Sequence, residues 1–197
     1  MARPVRHGLG VALSLSFTVS TPVIAQPPPV VAVQVENYAE LGVAARTEAQ
    51  RVADAIYSDI GVHLVWVEND VERAAVQEDE SIRVHLLSES MALKKIQAEG
   101  ISAGVLATTS RLGRTVYVFV DRVHITADTY SRDRASVLGL VLAHEMGHVL
   151  LPDDSHSATG IMQDAIIRLT TDSRFTEAQG KLIRERLRLR TNRAPPD

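Results

Sequence analysis

The sequence predicts an α+β fold: a small sheet, a long helix near the N-terminus, a buried helix and a C-terminal helix. Three observations lead there. Apolar side chains recur at helical spacing from Leu41 to Ile56, short Val- and Ile-rich runs recur between positions 62 and 121, and Val137–Leu150 is apolar on almost all sides. At 197 residues and 45% hydrophobic content the chain suits one domain with a sizeable core, which must be aliphatic because aromatics make up only 4%.

Residues 1–25 read as a secretory signal peptide. Arg3 and Arg6 give a positive start, an apolar run follows from Gly8 to Ile24, and Val23-Ile24-Ala25 offers a cleavage site before Gln26. The run is short and interrupted by Ser, Thr and Pro, so it does not read as a membrane span. The expected location is secreted or periplasmic. The segment holds two arginines and no acid, so removing it takes the formal charge from −3 to −5 and argues against a nucleic-acid or membrane-surface partner. The chain has no Cys, which excludes disulfides and a lipid-bearing cysteine.

The elements follow in order. Residues 26–37 are Pro- and Val-rich and read as an extended lead-in to a domain spanning 38–190. Leu41, Ala45, Ala49, Val52 and Ile56 mark the inner face of the first helix, which Gly61 stops. Val62–Glu68 and Ser81–Leu87 read as strands, separated by an acidic loop. Met91–Gly100 suggests a short helix or turn, and Ser102–Thr109 a weaker strand. Thr115–Asp121 is the strongest strand, apolar on both faces, and a polar loop is expected from His124 to Asp133. Asp133 or Ser136 can cap the helix that ends near Leu150. Thr176 and Gln179 form a capping box for the last helix, whose Lys181, Arg184, Arg186, Arg188 and Arg190 read as a solvated basic face. Residues 191–197 form a tail.

Three of the seven histidines fall between positions 144 and 156, within HEMGHVLLPDDSHSATGIM. His144 and His148, four apart on a helix, share one face, and both imidazoles can reach one metal ion. Glu145, on the same turn, stands beside such an ion and can hold a water there. Without a metal, placing these groups in an apolar helix would be costly.

The segment resembles the metzincin superfamily of zinc endopeptidases. Their HExxHxxGxxH motif, with Asp sometimes in the last place, is followed by a turn bearing a methionine beneath the metal. His144, Glu145, Gly147 and His148 match, Asp154 falls at the third-ligand register, and Met162 lies at the interval used in the matrix-metalloprotease branch. Leu151 stands where the family has glycine. Leucine resists the left-handed conformation, and Pro152 pushes it towards an extended one. The helix should therefore end there and the chain should return by a longer loop, bringing in His156. His156-Ser157 also resembles the pair that accompanies the third ligand in matrixins, and HSATGIM resembles secreted bacterial metzincin-like proteins with a wider ligand spacing. His156 is the favoured third ligand and Asp154 the alternative.

The resemblance implies a metzincin-like small mixed sheet, a zinc cofactor held by three protein ligands with a fourth position open, and a protein or peptide substrate. Glu145 would be the general base that activates the water. Met162 would pack under the site on a turn permitted by Gly160, and Thr115–Asp121 would be the edge strand above the cleft. The expected activity is a secreted zinc endopeptidase. Alternatives are a non-catalytic zinc-containing binding module, or a gluzincin-type site with Glu177 as ligand. His124 and Tyr130 are weaker candidates for assisting the oxyanion. His63, His85 and Trp66 read as structural.

Overall fold

The computed structural model describes residues 27–67, 81–153, 155–165 and 168–191; the signal-peptide segment 1–25, the acidic loop before Ser81, Asp154 and the tail beyond 191 lie outside them. The described residues form five strands, β1 (Val30–Asn37), β2 (His63–Val67), β3 (Ile82–Leu87), β4 (Ala107–Ser110) and β5 (Thr115–Phe119). They also form five helices, α1 (Val43–Asp59), α2 (Glu89–Glu99), α3 (Val120–Thr129), α4 (Arg134–Leu150) and α5 (Glu177–Thr191). The strands make one small mixed sheet in the order β2-β1-β3-β5-β4, parallel except for β4, which runs antiparallel to β5 at one edge.

Alternation along the strands divides the sheet into two apolar faces. Val31, Val33 and Val35 of β1, Ile82, Val84 and Leu86 of β3, and Val116 and Val118 of β5 enter the main core with α1 and α4. Leu87 of β3 and Phe119 of β5 have the opposite parity and meet Ala92 and Ile96 of α2 in a second, smaller cluster. Tyr117 packs beside that cluster, so the sheet is covered on both sides.

In the main core α1 and α4 approach at the level of their backbones. A Cβ on Gly139 of α4 would stand 2.5 Å from the Ala49 carbonyl oxygen and 2.6 Å from Val52 Cβ. Further along, the buried Tyr57 hydroxyl donates to the Ala143 carbonyl at 3.1 Å. This contact holds α4 against the rest of the domain just before its histidines.

Several boundaries differ from the sequence reading. The 26–37 lead-in contains β1, an interior strand with Val31 and Val33 almost wholly buried. Its alternation is partly hidden by the prolines that precede it. The first helix begins at Val43, so Leu41 lies before it, because the Asn37 side chain accepts from Leu41 N and donates to Leu41 O, each at 3.0 Å, and holds a turn between strand and helix.

The expected loop from His124 is largely helix α3. Val120, Val123 and Ala127 bury a helical stripe, which the β-branched and polar residues between them obscured. Thr115–Phe119 is an interior strand, so the edge falls to β4. Arg122 donates to the Ser102 and Val105 carbonyls at 2.7 and 2.8 Å, fastening the approach to β4.

The helix contact sets a test. Gly139→Ala should lower the unfolding free energy by about 1–3 kcal/mol in urea titration, because the facing atoms are backbone and a β-carbon that cannot swing away. A value near zero would mean that the two helices do not approach this closely.

Candidate metal centre

Helix α4 carries two of the three histidines, and both its ends are set by local chemistry. Asp133 caps the start, accepting from Ser136 N at 2.7 Å. At the other end Leu151 is extended, with φ −94° and ψ 162°, immediately before Pro152. The chain leaves the helix there and returns through Ser155–Met162. Gly160, at φ +82°, makes the return possible, since a side chain there would run into the Arg174 carbonyl. Ser157 N donates to Met162 O at 2.9 Å and Ile161 N to Arg174 O at 2.8 Å, which fixes the turn.

This path brings His156 to His144 and His148, with one nitrogen from each ring lying within 4.8 Å of the others. His144 Nε2 and His148 Nε2 are 3.0 Å apart. Tetrahedral coordination at about 2.0–2.1 Å separates ligand nitrogens by roughly 3.3 Å, so the pair is close to the required spacing. His144 Nδ1 lies 2.8 Å from the Ile161 carbonyl, which can only accept; that nitrogen must carry the proton, leaving Nε2 with a free lone pair. His148 Nδ1 meets Ser155 Oγ at 3.0 Å.

Burial lowers the basicity of both helical imidazoles. That of His148 is pushed down to about 3, chiefly by desolvation, with His144, His156 and Arg111 adding to the effect. His144 shifts the same way, again mainly through burial. Both shifts favour the neutral ring, the form that binds a metal. Three imidazoles with nitrogens facing a common point can hold a metal ion, and the donor set fits zinc.

Glu145 lies beside the histidines and is only 6% exposed. Thr109 of the edge strand β4 donates to its Oε2 at 2.6 Å. Burial raises the carboxyl to about 7, and the Thr109 hydrogen bond opposes the rise. Glu145 and the histidines open onto a cleft of about 780 Å³ whose wall is β4 and the residues leading into it. Arg111, on the β4–β5 hairpin, pairs with Asp153 and ties the hairpin to the returning loop.

Met162 is fully buried against the turn between the two helical histidines. A Cβ on Gly147 would lie 2.5 Å from its Sδ, so the glycine leaves the space that the methionine fills. Tyr130 lines the cleft, whereas His124 lines a different pocket beside Tyr38 and Asp121. Glu177 is exposed at the start of α5, outside the cleft lining. His85 is stacked between Tyr38 and Tyr117, and Trp66 Nε1 donates to Asp54 Oδ1 at 2.8 Å; both side chains are structural.

Sequence reasoning missed Thr109 and Arg111 and saw in Gln179 only a helix cap. The signal for Thr109 was thin: a threonine in a short weak strand acquires meaning only when that strand lies against α4. The basic face of α5 is also less free than expected. Arg184 donates to the Ile60 carbonyl and Arg186 to the Leu150 carbonyl, at 2.9 and 3.0 Å, satisfying the C-terminal ends of α1 and α4.

Removing the packing under the histidines has a calculable effect. Met162→Ala should destabilise the protein by about 2–5 kcal/mol, whereas the near-isosteric Met162→Leu should cost less than about 1.5 kcal/mol. Chemical denaturation of the two variants measures the difference, and equal values would show that the thioether does not fill a closed space. No protein-family model and no curated protein matches the chain, so a function for it has to be argued from these side chains and the cleft they line.

Proposed function

We propose that this chain is a zinc-dependent endopeptidase with a metzincin-like site, in which His144, His148 and His156 hold the metal and Glu145 is the general base. One observation carries the proposal: three imidazoles converge beside a buried carboxyl group from the same helical turn as two of them, at the bottom of a cleft walled by a sheet edge. A structural zinc site would be closed by a fourth protein ligand, whereas a three-histidine set leaves room for a substrate.

A zinc ion held there supplies the Lewis acidity that activates water and polarises the scissile carbonyl. The protein's own groups do the rest. Glu145 takes a proton from the attacking water and passes it to the departing amine, a role suited by a carboxyl near 7. Thr109 holds the Glu145 carboxylate by one oxygen and leaves the other available. The outer edge of β4 offers backbone donors and acceptors to an extended peptide, and the walls of the cleft exclude bulk water from the reacting atoms.

Asp154 remains the alternative third ligand and lies outside the described residues. The N-terminal segment 1–25 supports export to a secreted or periplasmic location. Among the described residues no helix is long and apolar enough to cross a membrane.

Two measurements test the proposal together. Glu145→Gln should retain one zinc per chain by elemental analysis while cleavage of an unfolded casein substrate falls by about 10²–10⁴-fold. His156→Ala should weaken zinc binding far more than Asp154→Ala. Full proteolysis by Glu145→Gln would sink the assignment, and zinc-loaded wild-type protein without any cleavage would favour a binding module instead.

A further inference from the structure

Two of the three histidines need little help to stay in place. His144 and His148 project from α4, and the Nδ1 atom of each has a partner in the returning loop. His156 differs. It sits in that loop and is exposed, and its ring has no hydrogen-bond partner among the described residues, only ring contacts with the other two histidines. Its position therefore depends on what holds its backbone.

Gln179 of α5 holds it. Its Nε2 donates to the Ser155 carbonyl and to Ser157 Oγ, each at 3.2 Å, gripping the residues on either side of His156. Its Oε1 accepts from Thr176 N at 3.0 Å, and its backbone N donates to Thr176 Oγ1 at 3.3 Å. The orientation of the amide is fixed from both sides, since Thr176 N–H can only donate and the Ser155 carbonyl can only accept. The side chain is 9% exposed, on a helix seated by buried Ile183 and Leu187. Arg184 and Arg186 anchor the same helix to the ends of α1 and α4.

We propose that Gln179 is a positioning residue for the third metal ligand: its amide uses one end to cap α5 and the other to fix the His156 backbone at the distance the metal requires. The inference rests on the zinc reading above and extends it to a residue more than twenty positions beyond the ligand. It also gives glutamine a chemical reason at this position. Glutamate would serve the capping box equally well, but it has no N–H to give the loop.

That difference makes the test. Gln179→Glu keeps the cap but turns a carboxylate oxygen towards the Ser155 carbonyl, so the metal-free variant should melt lower than wild type but above Gln179→Ala, which loses both cap and grip. Zinc affinity, measured by competition with a chromogenic chelator, should fall by about 10–100-fold in Gln179→Glu, the usual cost of removing a group that orients a ligand. In a His156→Ala background the same substitution should weaken zinc no further, because its effect passes through His156. An additive loss in the double variant, or wild-type affinity in Gln179→Glu, overturns the proposal. The double variant separates this loss of stability from the positioning role, since an indirect structural loss adds to that of His156→Ala. A wild-type chain that binds no zinc would instead sink the proposed function, and His156→Ala that weakens zinc while Gln179→Glu does not would leave that function standing without this refinement.

Discussion

Polar groups in the wall of a buried helix constrain the rest of this molecule. Helix α4 is buried along most of its length, and its last two turns place His144 and Glu145 where water scarcely reaches. An imidazole or carboxyl in that setting needs a partner or loses its charge. Each has both: His144 gives its Nδ1 proton to Ile161, Glu145 takes a hydrogen bond from Thr109, and burial drives both towards neutrality. The partners come from opposite sides, the returning loop and the edge strand. The cleft is the space left between those two supports, and the buried polar groups determine which segments must meet there.

The sheet serves the same end. Its parallel strands bury one face under α1 and α4, and the reversed strand β4 closes the order beside the histidines. Because β4 is an edge, it can brace Glu145 through Thr109 while its outer backbone remains unpaired within the sheet. An interior strand could brace the carboxyl but would have no free edge to offer a peptide. The antiparallel turn of the chain through Arg111 to Arg114 thus decides which strand borders the cleft, and the Arg111–Asp153 pair ties that hairpin to the loop across from it.

What could be read in the sequence was what neighbouring residues decide. The Asp133 cap, the end of α4 at Leu151-Pro152 and the Thr176/Gln179 capping box depend on residues within a few positions, and the structure places each as expected. The gathering of His144, His148 and His156 was legible because helical spacing fixes two of them and Pro152 dictates the wider return. Strand β1 hid behind its prolines, and helix α3 behind its threonines and aspartates. The edge position of β4 could not be read at all: a four-residue strand of Ala, Thr and Ser has little apolar pattern, and its place depends on pairing with β5. Thr109 and the second role of Gln179 are likewise invisible without the tertiary contacts that give them partners.

The extended Leu151 has a structural consequence for the whole loop that follows it. A left-handed glycine turn would bring the chain back at once on a short, stiff connection. An extended leucine followed by proline sends it outward first, so His156 arrives on a longer excursion and is exposed. A longer loop has more conformations to lose on closing. The fold offsets this with supports outside the loop: the Gly160 turn against Arg174, Met162 beneath Gly147, and the Gln179 amide from α5. Two of the three contacts reach beyond the loop to the chain that follows it. The C-terminal helix thus helps hold the loop that carries His156, and its arginines on the ends of α1 and α4 keep it in place to do so.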